Sequence, residues 1–103
     1  MAVFRKNCER YIAFLYPNGE NSGRINLYCA DGYRLYLIFR DGALPANTYN
    51  ESINTGVGYQ PIDRFSDYVD LVRNEKPITV TFNTTGKNYV VYTSAEQVGE
   101  GEM

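Results

Sequence analysis

The chain has no histidine and no tryptophan, and only two cysteines, two methionines and four prolines in 103 residues. Each shortage narrows what the protein can do. Histidine is the side chain whose unperturbed pKa lies closest to neutrality. Its absence removes the usual proton shuttle, every histidine-dependent triad or dyad, and zinc sites built on imidazole. Cys8 and Cys29 stand 21 residues apart and cannot form a four-thiolate centre within one chain. They are expected to be free, partly buried thiols rather than a disulfide. No phosphate-loop, dinucleotide-binding or EF-hand pattern occurs. Thr55-Gly56-Val57-Gly58 contains a Gly-x-Gly, but no strand signal leads into it, and it reads as a flexible connection before a helix. Long apolar runs are missing too. Leu35–Phe39 spans five residues, far below the roughly 20 that cross a bilayer. The opening residues carry no apolar secretion segment, and the expected location is the cytoplasm.

What the chain does have is tyrosine, ten of them beside five phenylalanines. Tyrosine joins an apolar body to a polar tip and suits half-buried sheet faces and contact surfaces alike. With 44% hydrophobic and 21% charged residues, the composition is that of an ordinary globular domain. The expectation is one compact domain over 1–94 and an acidic, flexible tail over 95–103. The formal charge of -2 argues against a globally cationic nucleic-acid binder.

Periodicity predicts a main helix at about 61–74. Pro61 suits a first helical position. Ile62, Phe65, Tyr68, Val69 and Val72 make one apolar stripe, with Asp63, Asp67 and Asp70 opposite. Pro77 disfavours helix in the residue before it. Ile78–Asn83 and Tyr89–Ser94 read as two strands of a hairpin, joined by turn residues. The N-terminal stretch supports two readings. Phe4, Cys8, Tyr11, Ile12 and Leu15 fit helical spacing, whereas Arg10–Tyr16 is aromatic-rich and reads as a strand. The strand is favoured, because the turn-rich Pro17–Gly23 then leads directly into a partner at Arg24. A short edge segment fits at 46–50, where Pro45 restricts it to an edge.

Arg24–Ala30 and Tyr33–Arg40 form a hairpin whose register can be derived. A two-residue loop at Asp31-Gly32 would give both faces a mixture of arginines and leucines. A three-residue loop, Ala30-Asp31-Gly32, puts Ile25, Leu27, Cys29, Tyr33, Leu35, Leu37 and Phe39 on one face. A one-residue slip exchanges the two faces, so burial selects the second register. Gly32 then takes a left-handed position, expected as a type I turn with a glycine bulge. The resulting class is α+β: a mostly antiparallel sheet of four to six strands with one main helix packed on one face.

The reverse of that hairpin carries Arg24, Asn26, Tyr28, Arg34, Tyr36, Ile38 and Arg40, which are the candidate binding residues. Charge is uneven in the same sense, +3 over residues 1–40 and -5 over 41–103. Arginine and tyrosine are enriched at binding hot spots. The leading expectation is a small non-catalytic interaction module, a homodimer or the receiver of a protein partner, through this Tyr/Arg face. The alternative is single-stranded nucleic acid on the same face. A third reading has the N-terminal stretch fold as a helix over it. Asp63, Asp67 and Asp70 read as a solvated helix face rather than a metal site, with Arg64 and Arg73 in pairing reach. No catalytic residue, metal or cofactor is expected. Glu96, Glu100 and Glu102 of the tail complement the arginine face in sign.

Overall fold

Alternation of apolar and polar residues settles which way each strand turns its side chains. The computed structural model, which describes residues 3–15, 21–74 and 78–93, follows it through the central hairpin. Strands β2 (Asn21–Cys29) and β3 (Arg34–Arg40) pair antiparallel, with Ile25 opposite Leu37, Leu27 opposite Leu35 and Tyr28 opposite Arg34. This is the register of the three-residue loop. Ile25, Leu27, Leu35, Leu37 and Phe39 are fully enclosed. Each stabilises the fold by about 1.5–3 kcal/mol through its burial. The turn itself differs from expectation. Asp31 (φ 60°) is left-handed as well as Gly32 (φ 78°), and Tyr33 N–H donates to Ala30 O. That pattern belongs to a type I′ turn, with Ala30 as the extra residue, instead of a type I turn with a glycine bulge.

The N-terminal stretch is a strand. Strand β1 (Val3–Leu15) lies between β2 and β6 (Ile78–Asn83) and pairs antiparallel with both. A bulge at Glu9 breaks its alternation: Cys8 sits opposite Cys29, and Arg10 sits opposite Tyr28. Before the bulge Phe4 and Cys8 face inward; after it Tyr11 and Ala13 do. An inserted residue shifts the side-chain parity. Inward positions 4, 8, 11 and 15 therefore imitate the spacing of a helix. Ile12, part of that apparent stripe, faces outward.

The class is α+β, but the sheet is larger than four to six strands. The expected edge strand is present as β4 (Thr48–Asn50), within 46–50, and the added member is β5 (Thr55–Pro61). With β7 at Asn88–Thr93, seven strands run in the order β4-β5-β3-β2-β1-β6-β7 among the described residues. The sheet is mixed: β5 pairs parallel with β3, and every other neighbour is antiparallel. Parallel neighbours need a crossover of a dozen or more residues, which positions 41–54 supply. Thr55–Gly58 is thus a strand, not a flexible connection. Gly56 and Gly58 are buried because the sheet curls into a half-barrel, and rings from its other wing lie over them. A Cβ on Gly56 would sit 2.5 Å from the ring of Phe82, and one on Gly58 would collide with Tyr89. Across the same gap Gln60 Nε2 donates to the Tyr89 hydroxyl at 2.7 Å, and Asn47 Nδ2 donates to Lys87 O at 2.8 Å.

The helix is shorter than 61–74. Pro61 is extended (φ -61°, ψ 147°) and closes β5 opposite Arg40. Its fixed φ suits a strand end as well as a helix start. A 3₁₀ turn at Ile62–Arg64 follows, then α1 (Phe65–Asn74). Phe65 and Tyr68 set ring edges against Phe39 at 5.1 and 5.5 Å, and Phe65 rests on Gly23. Asp67 and Asp70 pair with Arg64 and Arg73 at 3.4 and 3.7 Å on the exposed side. Strand β7 (Asn88–Thr93) completes the hairpin with β6. The Pro17–Glu20 part of the expected loop, Pro77, and the tail at 95–103 with its glutamates lie outside the described residues.

Candidate interaction face

The outer surface of β1, β2 and β3 is built by the register just described. Tyr28 and Arg34 are cross-strand neighbours, as are Asn26 and Tyr36, and Arg24 and Ile38. Arg34 is exposed, while Arg24, Tyr28, Tyr36, Ile38 and Arg40 are half-buried. The N-terminal segment lies beside this face in the sheet, not across it, so the covering-helix reading is overturned.

The side chains interlock. The Arg24 guanidinium lies over the Tyr36 ring at 4.7 Å. Tyr28 is flanked by Arg10 at 4.6 Å and Arg34 at 5.7 Å. The two tyrosine rings meet edge to face at 6.4 Å. Each such cation–ring contact at an exposed site is worth about 0.5–1 kcal/mol. Asn26 organises the centre. Its Oδ1 accepts from Arg24 Nε at 2.7 Å, and its Nδ2 donates to the Tyr28 hydroxyl at 3.3 Å. At 7% exposure Asn26 is a positioning residue beneath its neighbours. Arg34 Nη1 donates to the Tyr36 hydroxyl at 3.2 Å. The network fixes the guanidinium planes before anything binds. Ile38 and Arg40 stand further along β3, beside Tyr59 and Pro61 of β5, outside the stacked group.

Three residues of this face were not among the candidates. Arg10, Ile12 and Phe14 lie opposite Tyr28, Asn26 and Arg24 in β1. Ile12 and Phe14 are 42% and 37% exposed. The cross-strand register would have found them once β1 was taken as a strand with a bulge. On the other flank an open depression of about 670 Å³ borders Tyr36, with Val57, Thr48 and Asn50 among its walls and Glu51 at its edge. The outward positions of β1 after the bulge, and those of β2, β3 and β5 where described, include no carboxylate. Arg10, Arg24 and Arg34 form no ion pair among the described residues. No helix of the described residues is long and apolar enough to cross a membrane.

The chain has no significant match among protein-family models, curated proteins or solved structures.

Proposed function

We propose that the chain is a non-catalytic interaction module whose β1–β3 outer face receives a protein segment carrying carboxylates and apolar side chains. The observation that carries this reading is the set of arginines stacked on Tyr28 and Tyr36, with exposed Ile12 and Phe14 alongside and no acidic residue among them. A stacked guanidinium engages the ring with its face and keeps edge N–H groups for carboxylates. Its immobilisation is already accomplished, so less entropy is lost on binding.

Two rival occupants fit less well. A two-fold contact of this face with itself would bring arginine against arginine, because an isologous interface apposes the same patch from both copies. Single-stranded nucleic acid needs open ring faces for base stacking, and here guanidinium groups already stand against those of Tyr28 and Tyr36.

The test is a titration with three probes: a synthetic peptide alternating glutamate with leucine and tyrosine, the same peptide with lysine for glutamate, and a single-stranded oligonucleotide. The acidic peptide should bind, the lysine peptide should not, and Tyr28→Ser with Tyr36→Ser should weaken the acidic peptide at least several-fold. Tighter binding of the oligonucleotide, or acidic-peptide binding indifferent to the double substitution, overturns the reading.

A further inference from the structure

The two cysteines lie directly opposite one another in β1 and β2, both on the inner side. Cys29 N–H donates to Tyr33 O, just before β3, at 2.8 Å. The backbone polar groups of Cys29 therefore point away from β1, and Cys8–Cys29 is a non-hydrogen-bonded pair. Such pairs bring Cα atoms to about 4.5 Å, inside the span that a disulfide bridges. The two thiols differ in access. Cys29 is 5% exposed and Cys8 is half-buried. Cys8 opens into a groove of about 340 Å³ between the bulge and α1, walled by Tyr11, Val72 and Ile78 and edged by Arg10, Arg73 and Glu9.

We propose that Cys8 and Cys29 form a redox-active dithiol that exchanges with small disulfides bearing carboxylates, Cys8 attacking first and Cys29 resolving. The Cys8 thiolate attacks one sulfur of the small disulfide. A Cys8–S–S–R bond forms and the first RS⁻ leaves. Cys29 gives its proton to that RS⁻ and attacks the Cys8 sulfur. The protein disulfide closes, and the second RS⁻ leaves and takes a proton from water. Two protein thiols are oxidised and one small disulfide is reduced to two thiols.

Chemistry at the pair agrees with this order. A hydrogen bond from the Cys29 thiol draws Cys8 below the usual thiol range, and the Arg10 and Tyr28 backbone adds to the effect against burial and the Glu9 charge. The same bond, followed by burial, pushes Cys29 upward. The accessible sulfur is thus the more readily ionised one, which is the condition for a nucleophilic thiol. Arg73 supplies the positive edge for the carboxylates.

The experiment treats the reduced full chain with glutathione disulfide and follows intact mass and thiol alkylation. Wild type should lose both alkylatable thiols, stay monomeric and retain no adduct. Cys29→Ala should hold one glutathione on Cys8. Cys8→Ala should react at least roughly tenfold more slowly than wild type, as a buried thiol does. Arg73→Glu should lower the rate with glutathione disulfide relative to that with cystamine, a cationic disulfide. Persistent alkylation of both thiols in wild type, a stable adduct on wild type, intermolecular links alone, or a faster Cys8→Ala reaction overturns the proposal. An Arg73→Glu rate ratio equal to that of wild type overturns the assignment of the anionic disulfide class.

Discussion

On the inner face of β2 and β3, Ile25, Leu27, Leu35, Leu37 and Phe39 have no exposure to solvent. On the outer face of the same two strands, Arg24, Tyr28 and Tyr36 are each partly exposed and held by stacking and hydrogen bonds. One backbone thus carries two kinds of order. The inner kind is non-directional and comes from packing and loss of water. The outer kind is directional: Asn26 accepts from Arg24, Tyr36 accepts from Arg34, and guanidinium groups lie over rings. It contributes little to stability and much to the arrangement of donors.

Substitution should separate the two. Leu37→Ala should lower the free energy of unfolding by about 3 kcal/mol in a urea titration, the scale of a fully buried leucine whose cavity does not refill. Gly56→Ala tests how tightly the half-barrel closes. The new methyl group meets Phe82, and overpacking of this kind costs about 1–3 kcal/mol. On the outer face, Tyr28→Ser with Tyr36→Ser removes the cation–ring contacts and the ring pair together and should cost about 2 kcal/mol. Light scattering should give the mass of a monomer for both wild type and this double variant. A dimer that dissociates on substitution would instead assign the outer face to self-contact.

The smallest effect concerns Tyr89, whose ring stands over Gly58. Burial pushes its phenol up to about 12 from the ordinary 10, partly opposed by the hydrogen bond from Gln60. The folded state therefore holds the proton more tightly than the unfolded chain does. This contribution is complete below pH 10 and disappears as the pH climbs toward 12. Thermal melts should show a shallower decline over that window for Tyr89→Phe than for wild type.

The legibility of these features from sequence follows their range. Hairpin β2–β3 was readable because its alternation is local and only one register separates leucines from arginines. Its turn was read one conformation away, since Asp31 tolerates the left-handed region that was assigned to Gly32 alone. Strand β1 was ambiguous because the bulge at Glu9 spaces Phe4, Cys8, Tyr11 and Leu15 as a helix would. Ile12 and Phe14 were lost from the candidate face for the same reason. Strand β5 was unreadable locally. Glycine lacks β propensity, and what justifies Gly56 and Gly58 is the pair of rings on Phe82 and Tyr89, distant in the chain. Pro61 was placed in the helix because its φ serves both assignments.

The most direct test of the proposed outer-face function is a residue-by-residue amide chemical-shift map of the ¹⁵N-labelled chain during titration with the glutamate–leucine–tyrosine peptide. The account predicts shifts concentrated at Arg10, Ile12, Phe14, Arg24, Tyr28, Arg34 and Tyr36, diminishing as salt is raised. Shifts centred on α1 or on β6 and β7, or a spectrum the peptide leaves unchanged at low salt, would contradict it.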